Sequence, residues 1–241
     1  MDAIATTNLT KAYRDLVAVD HLNLHIHQGE LFSLLGVNGA GKTTTIKMLT
    51  CLTRPTEGDA LVGGFSISQN PAAVRHLIGV SPQETAIAPN LSVKENLELI
   101  CGIYGFSRNK TAEKIRQLTE LLHLQEVLTR RAGKLSGGWQ RRVSIAMALI
   151  SEPAILFLDE PTLGLDVIAR SELWDAIRSL KGKITIVLTT HYMEEAEALS
   201  DRIGIMRDGQ LLVTGTARQL MDRACTDKFE TAFIAIVKEE A

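Results

Sequence analysis

One run of residues has the types and spacing to hold a chain of phosphates. Gly36-Val37-Asn38-Gly39-Ala40-Gly41-Lys42-Thr43-Thr44 matches the pattern G-x-x-x-x-G-K-[ST]. A backbone that wraps a phosphate must turn its N–H groups inward, and glycine tolerates the angles and the close approach this requires. The helix that follows adds the positive end of its dipole. Lys42 supplies a cation for the β- and γ-phosphates, and Thr43 an oxygen for Mg2+. The flanks agree with this reading. Leu31-Phe32-Ser33-Leu34-Leu35 is a short, nearly continuous apolar run, as in a buried strand, and Lys42 to Leu49 reads as a helix. Its four fixed positions would match by chance in only about one chain in a hundred of this length.

A second element supplies carboxylates. Ala154-Ile155-Leu156-Phe157-Leu158 reads as a buried strand and runs into Asp159-Glu160-Pro161. Acidic residues leaving a buried parallel strand lie at the carboxyl edge of the sheet, where open α/β folds bind ligands. Asp159 is expected to hold Mg2+ through water. Glu160, one residue on and facing the γ-phosphate, is expected to orient or deprotonate the attacking water.

Leu135-Ser136-Gly137-Gly138 lies between these two motifs. With the three in this order, the chain resembles the nucleotide-binding domain of ABC proteins from about Tyr13 to Gly215. The resemblance implies an α/β P-loop NTPase with a RecA-like core, an antiparallel β subdomain and an inserted α-helical subdomain. It also implies one cassette over 1–241. Residues 1–85 and 151–215 would form the core with its β subdomain, 86–150 the helical subdomain with the signature, and 216–241 a helical tail. ATP and Mg2+ are the ligands it implies. Tyr13 would lie against adenine, contributing affinity with little base specificity. Gly36, Asn38, Gly39, Ala40, Gly41, Lys42, Thr43 and Thr44 would cradle the phosphates. Gln83, in Ser81-Pro82-Gln83-Glu84, would touch Mg2+ or the attacking water. His191, after Leu188-Thr189-Thr190, would hydrogen-bond the γ-phosphate. Ser136, Gly137 and Gly138 would contact ATP held by a second cassette, and Asp166 would meet that cassette. Hydrolysis would then run in a head-to-tail dimer coupled to transmembrane permease subunits. Two positions depart from the family pattern: Trp139 stands where glutamine is usual, and Leu163 where a small or polar residue is common. The finer resemblance is to ATPase subunits of exporters for drugs, antibiotics or surface polysaccharides. It rests on Thr190-His191-Tyr192-Met193-Glu194-Glu195-Ala196-Glu197, the tryptophan-bearing signature and the Phe229–Val237 tail.

The elements that must position these residues show in the patterning. From His21 to His27 polar and apolar residues alternate, as in a half-buried strand over Val17–His27. Ser92-Val93-Lys94-Glu95 has the form of a capping box. Val93, Leu97, Ile100, Cys101 and Tyr104 then share a helical face, as do Ala112, Ile115, Leu118 and Leu122. After Leu158 the α/β pattern resumes. A helix spans Val167 to Leu180, a strand Ile184 to Thr189 and a helix Met193 to Leu199. The strands Ile203–Met206 and Gln210–Val213 are joined by Asp208-Gly209, a hairpin dipeptide. From Lys228, the residues Phe229, Phe233, Ile236 and Val237 share the face of a last helix. There is no internal repeat or low-complexity tract.

The bulk properties narrow the partners. With 241 residues, 45% hydrophobic and 22% charged, the chain can bury a full core. A net charge of −2 offers no basic field for nucleic acid or anionic membrane. No apolar run approaches the roughly 18–20 residues of a membrane span, and no secretory leader is read at the start. Cys51, Cys101 and Cys225 are few and scattered, which suits a reducing cytosol. The expected location is cytoplasmic, at the inner face of the cell membrane through the permease. His21, His25 and His27 have no cysteine or carboxylate at ligand spacing and read as a solvated strand edge. Asn109-Lys110-Thr111-Ala112 lacks the aspartate of a guanine-specificity motif. Arg141 and Arg142 read as a solvated or dimer-facing helix surface. Two rival classes remain. One is a cytosolic ABC ATPase acting on nucleic acid or ribosomes, which would carry paired cassettes, a coiled-coil insertion or a basic surface. The other is a regulatory module that holds ATP without turnover, against which the presence of Glu160 and His191 counts.

Overall fold

The computed structural model describes residues 1–239; the last two positions of the expected tail, 240 and 241, lie outside the described residues. The chain begins with β1 (Asp2–Tyr13), β2 (Leu16–Leu22) and β3 (His25–His27). The single strand expected over Val17–His27 is thus divided, and β2 and β3 pair with successive parts of β1. The cause is local. Asn8 and His21 both have positive φ, 47° and 46°. There the Asn23 side chain bonds the Asn8 N–H and the Asn8 side chain, each at 2.9 Å, in place of ladder bonds. The period of two survives: Leu22, Leu24 and Ile26 are buried, whereas His21, His25 and His27 are exposed. Asp2, brought up by β1, bonds Nδ1 of His25 at 2.8 Å and of His27 at 2.9 Å, a carboxylate contact that sequence spacing hid. No group of three or more His, Cys, Asp or Glu among the described residues is arranged to hold a metal ion.

β4 (Leu31–Gly36) is buried throughout and leads through the glycine-rich turn into α1 (Lys42–Leu49). β5 (Glu57–Val62) and β6 (Phe65–Ser66) complete an antiparallel sheet ordered β2-β1-β5-β6, with β3 beside β1. α2 (Pro71–Leu77), with proline in the first turn where no N–H is required, runs into β7 (Ile78–Ser81). Three helices follow: α3 (Val93–Ile103), α4 (Arg108–Leu121) and α5 (Gly137–Leu149). α3 starts at the expected capping box, where the Ser92 hydroxyl accepts from the Glu95 N–H and Glu95 Oε2 accepts from the Ser92 N–H at 2.7 Å. Val93, Leu97 and Cys101 pack with Ile115, Leu118 and Leu122 as the spacing predicts. Ala112 and Tyr104 are exposed instead, one in the opening turns of α4 and the other at the C-cap of α3.

The remaining elements are β8 (Ile155–Asp159), α6 (Val167–Leu180), β9 (Thr185–Thr190), α7 (Met193–Leu199), β10 (Arg202–Arg207) and β11 (Gln210–Gly215). Asp208 and Gly209 turn the hairpin at φ 48° and 82°, the double positive φ that this dipeptide favours. β11-β10-β4-β9-β8-β7 form the second sheet, parallel except for β11. One of its faces packs Leu156, Leu158, Ile186 and Leu188 against α3–α6. The other packs Phe32, Leu34, Phe157 and Val187 against α1 and the antiparallel sheet. The expected helical tail over 216–241 consists of two helices, α8 (Ala217–Arg223), which carries its own capping box at Thr216 and Gln219, and α9 (Phe229–Glu239). Phe229, Phe233 and Ile236 of α9 bury Leu35, Ile203 and Ile205, so the expected tail helix braces the strand that leads into the glycine-rich loop. No helix among the described residues is long and apolar enough to cross a membrane.

α7 carries a carboxylic acid into the interior. Glu195 is fully buried. Its Oε1 accepts from the Trp174 indole at 3.1 Å, while Oε2 and the Thr162 hydroxyl have no hydrogen-bond partner among the described residues. Burial, with a further push from the Glu160 charge, raises the Glu195 carboxyl above the usual carboxylate range.

Two stability predictions result. Ser92→Ala should destabilise the chain by about 1 kcal/mol through loss of the cap, read as a lower midpoint in thermal or urea unfolding. For Glu195 the folded pKa lies above the unfolded one. Its contribution is therefore full below the ordinary glutamate value of 4.5 and is lost as pH rises through the folded value. Glu195→Gln stays neutral, so its melting temperature relative to the parent should climb steadily with pH. A difference that is flat with pH rules this out.

Candidate active site

The carboxyl ends of β4, β8 and β9 lie side by side, with Leu35 opposite Thr190 and Asp159 opposite Thr189. The loops that leave them meet at one edge of the sheet. In the first loop, Gly41 has φ 99° and a Cβ there would stand 2.5 Å from the Ala18 carbonyl oxygen. At Gly36 a Cβ would stand 2.4 Å from the Met206 carbonyl oxygen. Both positions exclude a side chain. Gly41 is also the N-cap of α1 and offers no side-chain acceptor to its first N–H groups. Lys42 is nearly buried. Its Nζ donates to the carbonyls of Gly36 at 2.8 Å and Val37 at 3.2 Å, and lies 3.5 Å from Glu160 Oε1.

Asp159 and Glu160 are held by the neighbouring strand. The Thr189 hydroxyl donates to Asp159 Oδ1 at 2.5 Å, and the Thr43 hydroxyl reaches the same oxygen at 3.2 Å. Glu160 has φ 49°, in the left-handed region that non-glycine residues seldom occupy. Its N–H donates to the Thr189 carbonyl at 3.1 Å and to the Thr189 hydroxyl at 3.0 Å. Its Oε2 lies 2.7 Å from Nδ1 of His191. Glu160 thus stands between an ammonium and an imidazole, one oxygen toward each, and is only 5% exposed. A carboxylate so fixed can orient a water and accept its proton. Thr189 organises the pair, yet sequence reading gave it no role. It was visible only as a polar residue ending a buried strand, and the β8–β9 register supplies the rest.

A cleft of about 700 Å³ opens at this edge, of a size that suits a nucleotide. Tyr13, Asn38, Gly39, Ala40, Gly41, Lys42, Thr43, Thr44, Gln83, Glu160 and His191 all line it. Gly36 and Asp159 are buried and are not on its lining. Tyr13 stands half exposed at the end of β1, with Lys11 Nζ 4.9 Å from its ring centroid. Leu16, Val17, Ala18 and Asp208 join the lining from the antiparallel sheet and the β10–β11 turn without any sequence signal, and Leu163 joins it from the loop after β8.

Ser136, Gly137, Gly138 and Asp166 do not line this cleft. Ser136 is the exposed N-cap of α5 and makes no side-chain cap bond, so the start of this helix is open. A Cβ on Gly138 would stand 2.9 Å from the Ala169 side chain, so the glycine lets α5 pack against the start of α6. Asp166 caps α6 by accepting from the Ala169 N–H at 2.9 Å. The signature and Asp166 therefore form a surface of their own.

The expectation for Arg141 and Arg142 is overturned, because both are buried. Arg142 pairs with Glu172 of α6 and lies 4.8 Å from the Trp139 ring centroid. Arg141 donates to the carbonyls of Pro82 at 2.5 Å and Gln83 at 2.6 Å and reaches that of Glu160 at 3.4 Å. Helix α5 is enclosed on most sides, and these partners replace water around the two guanidiniums. Trp139, half-buried, packs on the helical core and is covered by Arg142.

Comparison with known proteins agrees with this geometry. The family described as ABC transporter matches residues 19–163, more than half of the chain. The doxorubicin resistance ATP-binding protein DrrA of Mycobacterium tuberculosis is 40% identical over 225 residues, covering 92% of this chain and 68% of its own length. The probable multidrug ABC transporter ATP-binding protein YbhF of Escherichia coli is 38% identical over 98% of this chain, and human phospholipid-transporting ATPase ABCA3 is 43% identical over 89%. The chain spans only 42% of YbhF and 13% of ABCA3. Among solved structures, an ATP binding subunit of an ABC transporter superposes with TM-score 0.86 at 26% identity, covering 98% of this chain and 99% of its own. The ATP-binding cassette MJ0796, in a dimeric post-hydrolysis state bound to ADP and Pi, superposes with TM-score 0.80 at 27% identity, covering 88% and 98%. Sequence, fold and site converge: the chain belongs to the ABC transporter family, within which it is an ATP-binding cassette.

Proposed function

We propose that this chain hydrolyses ATP as the motor of a membrane exporter. The observation that carries the proposal is Glu160, held at a strained backbone position beside a phosphate-binding loop, with Lys42 and His191 on its two oxygens. The triphosphate of ATP lies in the loop from Gly36 to Thr44, with adenine against Tyr13. Lys42 neutralises charge on the β- and γ-phosphates. Glu160 aligns a water with the γ-phosphorus and takes its proton, and His191 donates toward the γ-phosphate oxygens. The Thr43 hydroxyl, on the cleft lining, reaches the buried Asp159 carboxylate, and Gln83 lines the cleft as well. This all-oxygen donor set suits a hard cation. Mg2+ bound there would supply charge neutralisation on the phosphates.

The open start of α5, lying off the chain's own cleft, supports a head-to-tail dimer. In it Ser136, Gly137 and Gly138 complete the site of a second cassette, with Asp166 at the contact. Dimerisation of the related cassette MJ0796 supports the same reading. The chain then works as one cassette, with a core of 1–85 and 151–215, a helical part over 86–150 and a tail over 216–241. An apolar groove of about 400 Å³ between β7 and α3, with Leu52 and Ile103 largely exposed and Val80 and Ala86 on its lining, would seat a permease segment. The cassette would thereby sit in the cytoplasm at the inner membrane face. Outward transport is supported by the drug-resistance and multidrug relatives and by a 42%-identical Nod factor export ATP-binding protein of Cupriavidus metallidurans. A cytosolic role on nucleic acid has no support among these relatives.

Glu160→Gln should lower phosphate release by about 100- to 1000-fold, the scale of losing one well-placed catalytic group, while ATP binding persists. Undiminished hydrolysis would remove Glu160 from this role. Tyr13→Ala should weaken ATP binding by about 1 kcal/mol with kcat little changed, read from the KM–kcat split. Affinity purification from membranes should bring a permease with the chain.

A further inference from the structure

Arg141 lies in the second turn of α5, yet is only 5% exposed, although the helix begins at exposed Ser136. Its acceptors are all backbone carbonyls, and they come from two separate loops. Pro82 and Gln83 follow β7, beyond its last strand pair, Ser81 with Leu158. Glu160 follows β8. A single planar guanidinium thus spans the helix of the signature, the segment that carries Gln83 and the backbone of the carboxylate that faces the cleft. Among the described residues no carboxylate bonds it directly. Burial pulls its pKa below the usual guanidinium value, and the charges of Asp159, Glu195 and Glu160 oppose this through space.

The arrangement resists piecemeal movement. If the Gln83 segment shifts away from α5, a buried cation loses two of its acceptors, which costs far more than the loss of a neutral surface bond. Lysine could substitute only in part, since one compact ammonium lacks the fork that reaches adjacent carbonyls. We propose that Arg141 is a positioning residue that ties the Gln83 segment, helix α5 and the Glu160 backbone into one unit, so that glutamine and carboxylate meet the reacting phosphate together. The proposal rests on the reading of Glu160 and Gln83 given above.

The test is steady-state hydrolysis by the full chain. Arg141→Ala should lower kcat by about 100-fold, the scale for a misplaced catalytic group, with the KM for ATP near the parent value because Arg141 does not line the cleft. Arg141→Lys should fall between alanine and parent. Guanidinium ion, added well below denaturing concentration, should restore much of the kcat of Arg141→Ala and none of that of Glu160→Gln. The proposal is overturned if folded, ATP-binding Arg141→Ala keeps the parent kcat, if KM moves instead of kcat, or if guanidinium restores nothing. Should the alanine variant fail to fold, Arg141→Lys decides: reduced kcat at unchanged KM supports the unit, and parent kcat overturns it. Glu160→Gln keeps the two readings apart. If it is inactive while Arg141→Ala turns over normally, only the coupling fails. If it hydrolyses ATP at the parent rate, the assignment of Glu160 itself fails.

Discussion

The Thr189 hydroxyl donates to Asp159 and accepts the Glu160 N–H, and the arrangement of the site depends on this one group. A non-glycine residue in the left-handed region costs about 1–3 kcal/mol and persists only where its surroundings over-determine it. Glu160 meets that condition through two bonds from its N–H to Thr189 and contacts from its side chain to Lys42 and His191. Thr189 can act on both acidic residues only because β8 and β9 run parallel with Asp159 opposite Thr189. A slip of one residue would turn the hydroxyl to the other face of the sheet.

The layers around the sheet serve this edge. The antiparallel sheet covers one face and lends Ala18, whose carbonyl crowds Gly41, and Tyr13, which stands at the rim of the cleft. Helices α3–α6 cover the other face. Helix α9 closes the end by packing on Leu35, one residue before the glycine-rich loop. The loop is therefore set by strands and helices from distant parts of the chain, which is why a turn of small residues can hold one shape.

Buried charge is where sequence patterning and tertiary structure part. Arg141, Arg142 and Glu195 belong to charge-rich stretches that resemble solvated helix faces. The fold supplies carbonyls to Arg141, Glu172 and Trp139 to Arg142, and an indole N–H to Glu195. Each partner lies at least three residues away and most lie on another element. Periodicity reports which side of a helix is apolar, but not whether a polar side will find acceptors inside.

The sequence by itself determined the local chemistry. The glycine-lysine-threonine loop, the Asp159-Glu160 pair and the signature could be read because each sits within a few consecutive residues whose types answer one physical demand. The capping box at Ser92, the Asp208-Gly209 hairpin and the core faces of α3 and α4, apart from Tyr104 and Ala112, were legible for the same reason. Only the tertiary structure decided the division of the Val17–His27 strand, the place of Thr189 and the burial of Arg141. These depend on strand register, on a side chain from another strand and on carbonyls of distant loops, and such long-range partners leave no mark in local spacing. Glu160 shows both halves at once: its identity was readable beside Asp159, but its strained backbone and its place between Lys42 and His191 exist only in the folded chain.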